Sequence, residues 1–206
     1  MLRHTAAAAS AVCVALVAGV WYSTLRSASS DQFAACRNSA IAGGTGQIGG
    51  AFTLLDASGQ TVTSAEVLSQ PSLVYFGYTF CPDVCPMDTF RNAEAVDVLE
   101  SRGQMVTPVF ISIDPARDTP EVVGEFAENR HERMIGLTGS PEQVKAASQA
   151  YKTYFKAQKA EDDYYLVDHT TFSYLVLPQH GFVEFFRRDL AAEEVADRIG
   201  CFVDNA

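Results

Sequence analysis

The chain has 206 residues and a formal net charge of −10 at pH 7. A chain of this length forms one domain with a single sizeable core, and its high content of aliphatic and aromatic residues excludes a disordered main body. Because phosphate binding requires a basic face, the acidic balance argues against nucleic acid as a partner.

The first segment, residues 1–25, resembles a targeting sequence. Its apolar run from residue 6 to residue 25 would be roughly 30 Å long as a helix, which is enough to cross a bilayer. Trp21 and Tyr22 stand where interfacial aromatic residues are expected, and Arg3 favours a cytoplasmic N-terminus. We therefore expect a single-pass inner-membrane anchor with the folded domain on the periplasmic side. A cleaved signal peptide is the alternative, and it exports the domain as well.

Residues 26–48 are rich in Ser, Ala and Gly, which predicts a flexible linker before a folded domain at residues 49–206. This domain begins with two short runs, residues 51–56 and 60–63, that are separated by an Ala-Ser-Gly sequence. Short runs separated by such turn-forming residues predict a β-hairpin.

The middle of the chain alternates between strands and helices. Continuous apolar runs at residues 73–78 and 106–113 predict two strands that are buried on both faces. A helix is expected between them, over residues 82–101. Thr119 and Ser140 are typical N-cap residues, each followed by a proline and an acidic residue. They predict two further helices.

The last part of the chain predicts two strands and one helix. Residues 171–177 and 182–186 are joined by a Pro-Gln-His-Gly turn and predict an antiparallel hairpin. Asp189 is expected to cap a final helix that ends at Gly200. The complete order predicts an α/β fold with a mixed sheet covered on both faces, which resembles a thioredoxin-like fold with an added N-terminal β-hairpin.

Cys81 and Cys85 lie where the first buried strand is followed by a helix, the sheet edge at which α/β proteins place ligand sites. We expect Cys81 to cap this helix and Pro82 to occupy its first position, with both sulfurs on one side of the first turn. The helix N-terminus should lower both thiol pKa values, and a thiolate pair suits Cu(I). Three residues separate the two cysteines, whereas thioredoxin-type oxidoreductases have two.

A third ligand has to come from another part of the chain, and His169 is the best placed of the four histidines. It stands directly before the third core strand, and the loop before that strand faces the cysteine motif in thioredoxin-like folds. His4 precedes the membrane segment, His131 is expected to be solvated, and His180 lies in the predicted hairpin turn. The sequence therefore predicts one metal site built from the two cysteines and His169.

Four further residues have predicted supporting roles. Asp83 and Asp168 are placed to orient the ligands through hydrogen bonds, although Asp83 is equally explained as an acid in the first turn of the helix. Cys36 and Cys201 stand near the two ends of the exported region. An oxidising compartment permits a disulfide between them, and two unrelated thiols are the alternative. Cys13 is interpreted as an apolar residue of the membrane segment.

Three separated motifs resemble the Sco/SenC family, in the same order along the chain. They are residues 76–86 (FGYTFCPDVCP), residues 112–120 (SIDPARDTP) and residues 167–172 (VDHTTF). The resemblance covers about residues 45–200, and the sequence matches the family pattern at each ligand position.

The resemblance implies a thioredoxin-like fold, a membrane tether and one copper ion, Cu(I) or Cu(II), bound by Cys81, Cys85 and His169. It implies a copper chaperone, rather than an enzyme, that delivers the ion to the dinuclear centre of cytochrome c oxidase. The implied partners are the copper-bearing subunit of that oxidase and a copper donor protein or thiol reductant. Reduction of the cysteines of that dinuclear centre is the implied alternative.

Three other functions are weighed against copper delivery. A thiol–disulfide oxidoreductase without a copper role would use the same fold and the same two cysteines. A peroxiredoxin is disfavoured, because Thr79 stands one residue too close to Cys81 for the peroxidatic Thr-x-x-Cys-Pro pattern. A copper or redox sensor is the third, and it would be identified by capture of its partner.

Overall fold

The structure is a computed structural model that describes residues 14–22, 31–38, 45–158 and 164–206. Residues 14–22 are helical. Among the described residues, the structure contains no helix with the length and apolar character needed to span a membrane. The predicted anchor is described only in part, and His4 and Cys13 lie outside the described residues.

Residues 36–206 form one compact unit. Its strands in the described residues are β1 (Thr53–Leu55), β2 (Thr61–Thr63), β3 (Ser72–Gly77), β4 (Thr107–Ser112), β5 (Ile135–Leu137), β6 (Phe155–Ala157), β7 (Val167–His169), β8 (Ser173–Leu177) and β9 (Gly181–Phe186). Its helices are α1 (Ser64–Val67), α2 (Val84–Ser101), α3 (Pro120–Glu128), α4 (Pro141–Ala150) and α5 (Ala192–Asp204), preceded by a 3-10 turn at Thr45–Gln47.

Five strands form a mixed sheet in the order β5-β4-β3-β8-β9. Strands β3, β4 and β5 run parallel, β8 runs antiparallel to β3, and β9 runs antiparallel to β8. Every residue of β3 is buried, so both faces of this central strand are covered. The predicted N-terminal hairpin is confirmed by the antiparallel pairing of β1 with β2.

The register between β3 and β8 determines where the site lies. Tyr75 pairs with Ser173, and Ser72 pairs with Val176. The carboxyl end of β3 and the amino end of β8 therefore meet at one edge of the sheet. The cysteine segment leaves β3 at this edge, and the segment that carries His169 enters β8 there, as the sequence predicts.

Helices α3 and α4 begin where the sequence predicts. The Thr119 side chain accepts a hydrogen bond from the backbone N–H of Val122 at the start of α3. Ser140 and Gln143 form a reciprocal capping box at the start of α4, with distances of 2.8 and 3.2 Å. These local bonds satisfy N–H groups that have no partner within the helix, which explains why short sequence patterns located both helices.

The last helix differs from the prediction at both ends. Its N-cap is Ala191 rather than Asp189, and the Asp189 carboxylate instead lies 3.3 Å from Nε of Arg187 in the preceding turn. Gly200 lies inside α5, which continues to its last residue, Asp204. A Cβ at Gly200 would lie 2.9 Å from Oε1 of Gln104, so this glycine permits a close approach to the segment after α2 and does not end the helix.

Three strands were not predicted. Strands β5, β6 and β7 have three residues each, as β1 and β2 do, but no short run of turn-forming residues such as Ala-Ser-Gly joins any two of them. Strand β5 extends the main sheet beside β4, whereas β6 and β7 pair with each other in a separate two-stranded sheet. This β6–β7 hairpin carries His169 to the edge of the main sheet.

A disulfide joins Cys36 to Cys201, with 5.7 Å between their Cα atoms. The bond connects residues that are 165 positions apart, and it attaches part of the predicted linker to α5. The compact unit therefore begins near Cys36 rather than at residue 49. Residues 39–44 of the predicted linker lie outside the described residues.

Candidate metal centre

Cys81 lies at the end of a β-turn that follows β3. Its backbone N–H donates to the Tyr78 carbonyl at 3.3 Å, which reverses the chain at the sheet edge. Helix α2 starts after its N-cap, Asp83, so Cys81 precedes the helix and Cys85 lies in the first turn. The N-cap position predicted for Cys81 belongs to Asp83, but the Cys81 sulfur does accept a backbone N–H of the first turn, that of Cys85, at 3.3 Å. The prediction that Pro82 opens the helix is wrong, because the chain is still leaving the turn at this residue.

His169 is the last residue of β7 and lies beside the turn. Its Nδ1 is 2.9 Å from the carbonyl oxygen of Thr170, a contact in which Nδ1–H donates and the Nε2 lone pair is left for a metal. The rings of Tyr75 and Tyr78 meet the imidazole edge-on, with centroids 6.3 and 5.9 Å away. Tyr78 also accepts the N–H of Val167 through its hydroxyl oxygen at 3.2 Å. These contacts fix both the ring and its strand.

The three predicted ligands converge at this edge of the sheet. One ligand atom from each of Cys81, Cys85 and His169 lies within 4.8 Å of the other two, and Sγ of Cys85 is 3.3 Å from Nε2 of His169. Two sulfurs and an imidazole nitrogen form a soft donor set, which favours copper or zinc over Mg²⁺ and Ca²⁺. The residues present therefore fit a copper ion.

The two thiols differ in their electrostatics. A hydrogen bond from Cys85 is the largest cause that lowers the pKa of Cys81, and His169 lowers it further. Burial raises the pKa of Cys85, whose side chain is fully enclosed. The expectation of two low thiol pKa values is therefore correct for Cys81 and wrong for Cys85, because desolvation of the second sulfur outweighs the effect of the helix N-terminus.

The loop between β4 and α3, residues 113–119, contacts the segments that carry the ligands. Its Asp114 carboxylate accepts hydrogen bonds of 2.6 Å from the Tyr165 hydroxyl and from Nε of Arg117. The Arg117 guanidinium carbon lies 3.6 Å from the ring centre of Tyr165 and 5.0 Å from that of Phe80. Arg117 thus packs between a residue next to Cys81 and a residue just before β7. The sequence motif at residues 112–120 marked this loop, but its contacts are too distant along the chain to be inferred from it.

Asp83 and Asp168 do not have the predicted orienting role. The Asp168 carboxylate is exposed and accepts from Nε2 of Gln158 at 2.7 Å, and the Thr170 carbonyl orients His169 in its place. Asp83 is an exposed N-cap whose side chain makes no capping hydrogen bond. Its backbone, rather than its carboxylate, helps to lower the pKa of Cys81.

A second group of potential ligands is formed by Asp97, Glu100 and His131. His131 is buried and pairs with Asp97 at 3.3 Å, so the prediction that it is solvated is wrong. Its Nδ1 accepts the backbone N–H of Arg133 at 3.0 Å, which places the proton of the neutral ring on Nε2. The Arg133 side chain also pairs with Glu100, so a positively charged group already lies beside these carboxylates. We therefore interpret the three residues as part of an ion-pair network and not as a metal site.

The family of the chain follows from a match that spans all three converging residues. The family model described as SCO1/SenC matches residues 42–204. The chain belongs to the SCO1/SenC family. The resemblance inferred from the three sequence motifs is thereby confirmed over most of the chain.

Two curated relatives illustrate how far the similarity extends. Protein SenC of Rhodobacter capsulatus is 52% identical over 205 residues, which cover 97% of this chain and 90% of SenC. The mitochondrial protein SCO1 homolog 1 of Arabidopsis thaliana is 40% identical over 157 residues, which cover 76% of this chain. This match spans only 47% of that plant protein, so the chain corresponds to about half of its length.

Solved structures of family members share the fold of this chain. Arabidopsis thaliana ScoI with copper bound has a TM-score of 0.71 at 39% identity, and the match covers 75% of this chain and 98% of that one. Yeast Sco1 with copper bound also has a TM-score of 0.71, at 36% identity, with 78% and 90% of the two chains covered. The mixed α/β, thioredoxin-like fold predicted for the domain is therefore confirmed.

Proposed function

We propose that this SCO1/SenC protein is a copper chaperone that binds one copper ion through Cys81, Cys85 and His169. In this proposal it delivers the ion to the dinuclear copper centre of cytochrome c oxidase. The observation that carries the proposal is the convergence of two sulfurs and one imidazole within 4.8 Å at one edge of the sheet. The copper-bound structures of Arabidopsis ScoI and yeast Sco1 support the choice of metal.

Copper is the cargo in this proposal, and it passes to the acceptor by exchange of ligands. Three protein ligands leave one approach to the ion open, from which an acceptor thiolate can bind before Cys81, Cys85 or His169 is released. Both cysteines must be thiolates to hold Cu(I), so binding displaces the proton of Cys85. A disulfide oxidant that accepts two electrons from the pair, and is itself reduced to two thiols, converts Cys81 and Cys85 to a disulfide. This removes both sulfur ligands and releases the ion.

Exposed apolar side chains around the site support delivery to a protein. Within the described part of the unit formed by residues 36–206, the exposed large apolar side chains are Phe80, Met87, Phe90, Met105, Tyr154, Tyr164 and Leu166. All of them except Met105 lie in the cysteine turn, in the first half of α2, directly before β6, or in the segment between β6 and β7. Clustered exposed apolar residues are typical of surfaces that bind other proteins.

The proposal includes a membrane tether formed by residues 1–25, with the copper-binding unit on the periplasmic side of the inner membrane. It is supported by the sequence of that segment, in which Arg3 precedes an apolar run that ends near Trp21 and Tyr22. Added protease tests this arrangement: in spheroplasts it should digest the C-terminal unit and leave the N-terminus protected, and in inverted inner-membrane vesicles the pattern should be reversed.

The alternative is a thiol–disulfide reductase that reduces the copper-site cysteines of the oxidase, or a redox sensor that uses the same pair. One specific observation favours this alternative: the two thiols differ in pKa. Cys81 has a lowered pKa and Cys85 a raised one, as expected for a pair in which one thiolate attacks and its neighbour resolves the mixed disulfide. Turnover of a disulfide substrate in metal-free buffer separates this function from copper delivery.

Copper titration of the reduced protein tests the metal site. We expect one Cu(I) per chain, and the spectrum of the Cu(II) form should show sulfur and nitrogen ligation. His169→Ala should weaken Cu(I) binding at least about tenfold, or about 1.4 kcal/mol, because it removes the only nitrogen ligand of the proposed site. His180→Ala, in the β8–β9 turn, is the matched control. Full copper affinity in His169→Ala would contradict the three-ligand site.

Transfer kinetics test the proposed delivery to a protein acceptor. Met87→Glu and Phe90→Glu place a charge on the exposed face of α2 near the site, whereas Met105→Glu places one just before β4, at the opposite edge of the sheet. We expect the first two variants to slow copper transfer to a purified copper-bearing domain of the oxidase by at least about tenfold, with Cu(I) affinity unchanged. Equal rates in all three variants would exclude this surface.

A further inference from the structure

Asp118 is a completely buried carboxylate in the loop between β4 and α3. Its Oδ2 accepts the backbone N–H of Thr79 at 3.0 Å and the hydroxyl of Ser112 at 2.6 Å, and its Oδ1 accepts the hydroxyl of Thr79 at 2.6 Å. Among the described residues, no ion pair to Asp118 accompanies these three hydrogen bonds. A buried carboxylate is costly unless its oxygens are hydrogen-bonded. The Asp118 side chain therefore has to stay in contact with these three donors.

Two of the three donors belong to the turn that carries Cys81. This turn is closed by the hydrogen bond from the Cys81 N–H to the Tyr78 carbonyl, and Thr79 is the first of its two central residues. Asp118 therefore holds both the backbone and the side chain of Thr79. Asp118 lies in the loop between β4 and α3, yet it holds a residue that is only two positions before the proposed ligand Cys81.

The carboxylate is itself held firmly in place. The backbone N–H of Asp118 donates to the Asp114 carbonyl at 2.9 Å, and the Thr138 hydroxyl donates to the Asp118 carbonyl at 2.8 Å. Ser112, the third donor to the carboxylate, is the last residue of β4. Asp118 thus connects the cysteine turn to the end of a neighbouring strand of the main sheet.

We propose that Asp118 is a positioning residue that fixes the β-turn carrying Cys81 and thereby sets the distance and direction of the Cys81 sulfur relative to Cys85. It touches neither the sulfur nor the metal, and it acts through Thr79. The inference deepens the proposed function, on which it rests, because a fixed turn favours every state in which the two sulfurs must be held close together. These states are the copper complex and the disulfide.

The test compares Asp118→Ala with Thr138→Val in the full-length protein. Asp118→Ala removes the three buried hydrogen bonds of the carboxylate, two of which hold Thr79. Thr138→Val removes one buried hydrogen bond to the Asp118 carbonyl and leaves Thr79 held. We expect Cu(I) to dissociate at least about tenfold faster from Asp118→Ala. The equilibrium constant for forming the Cys81–Cys85 disulfide in a glutathione buffer should fall about tenfold, equivalent to about 30 mV. Thr138→Val should retain both wild-type values.

Asp118→Asn serves as the conservative rescue. The amide oxygen can take the place of Oδ2 and accept from Thr79 N–H and Ser112, and the Thr79 hydroxyl can reverse and accept from the amide N–H. Asp118→Asn should therefore resemble the wild-type protein in both measurements. If changes at this loop acted only by destabilising the fold, Thr138→Val would change the Cu(I) dissociation rate and the disulfide equilibrium constant as much as Asp118→Ala does. This result would overturn the proposal.

Two further outcomes keep the inference separate from the proposed function. If the wild-type protein binds no copper, the proposed function fails, and the disulfide equilibrium still tests Asp118. If Asp118→Ala does not fold, Thr79→Val removes the 2.6 Å hydrogen bond alone and should change both values in the same direction. Unchanged values in a folded Asp118→Ala, or in Thr79→Val where it is needed, would overturn the inference.

Discussion

At the scale of single residues, the site depends on groups that hold the ligands rather than on additional ligands. The Thr170 carbonyl oxygen lies 2.9 Å from Nδ1 of His169, so Nε2 faces the sulfur of Cys85. Tyr78 contributes twice, because its ring meets the imidazole and its hydroxyl accepts the N–H of Val167. The imidazole is therefore held with Nε2 directed at the Cys85 sulfur before any metal binds.

The difference in pKa between Cys81 and Cys85 leads to a prediction about how Cys81 titrates when Cys85 is replaced. Because the hydrogen bond from Cys85 is the largest cause of the lowered pKa of Cys81, Cys85→Ala should raise the pKa of Cys81 towards the usual value for a cysteine. A larger fraction of Cys81 is then protonated near neutral pH, and its reaction with alkylating reagents slows. Ultraviolet absorbance of the thiolate, followed against pH in metal-free buffer, measures this change.

His169→Ala is the control for this titration. The histidine is a smaller cause of the lowered Cys81 pKa than Cys85, so His169→Ala should move the midpoint in the same direction and less far. A larger effect of His169→Ala than of Cys85→Ala would show that the imidazole, and not the neighbouring thiol, stabilises the Cys81 thiolate.

At the scale of secondary-structure elements, the site requires β3 and α2 to approach closely. A Cβ at Gly77, the last residue of β3, would lie 2.8 Å from Tyr75, 3.0 Å from Sγ of Cys85 and 3.1 Å from Phe110. Any side chain at this position would therefore push against a proposed ligand. The glycine allows the first turn of α2 to lie directly on the end of the central strand.

Gly77→Ala should consequently lower the free energy of unfolding by roughly 1 to 3 kcal/mol through overpacking, and it should also weaken Cu(I) binding because the Cys85 sulfur is displaced. Chemical denaturation and copper titration measure the two effects.

Gly59→Ala is the control, since Gly59 has a φ of +77° in the β1–β2 turn with open space around it. It should lower stability through backbone strain and leave copper binding unchanged. Unaltered copper affinity in Gly77→Ala would show that the sulfur accommodates the added methyl group.

The elements that the sequence predicts well are those with local signals. Proline and capping residues located the starts of α3 and α4, and the apolar run of β3 located the cysteine motif at the sheet edge. The start of α2 was placed too early, because the turn after β3 uses residues 78–81 and no sequence rule separated it from the helix. The β6–β7 hairpin was missed, because residues 158–166 between its strands contain no Gly, Pro or Asn to mark a turn, whereas the equally short β1 and β2 are separated by Ala-Ser-Gly.

The candidate site was predicted better than its surroundings. His169 could be placed because the order of elements resembled a thioredoxin-like fold, in which the loop before the third core strand faces the cysteine motif. The structure agrees, since β8 runs antiparallel to β3 and begins where β3 ends. The contacts of Asp118 with Thr79 and of Asp114 with Tyr165 could not, since they join residues 39 and 51 positions apart. Such contacts depend on how loops pack at the sheet edge, which hydrophobic periodicity does not determine.

At the scale of the compact unit, the disulfide and the candidate metal centre lie at opposite ends of α2. Cys81 and Cys85 flank the start of this helix, which has 18 residues and is therefore about 27 Å long. Gln104 follows its other end and donates to the carbonyl of Gly200 at 3.3 Å, next to Cys201. The Cys36–Cys201 bond can therefore change the stability of the unit without changing the metal site.

This separation leads to a prediction for the variant in which both Cys36 and Cys201 are replaced by serine. Its free energy of unfolding should fall by roughly 2 to 5 kcal/mol, because the bond restricts the unfolded chain over a long span, and chemical denaturation measures the loss. Its Cu(I) affinity under native conditions should equal that of the wild type. The control variant, with serine at Cys81 and Cys85, should show the reverse pattern: it should lose copper binding and retain most of its stability. If loss of the disulfide weakened copper binding in a protein that is still folded, the two ends of α2 would be coupled, and the disulfide would belong to the metal site as well as to the scaffold.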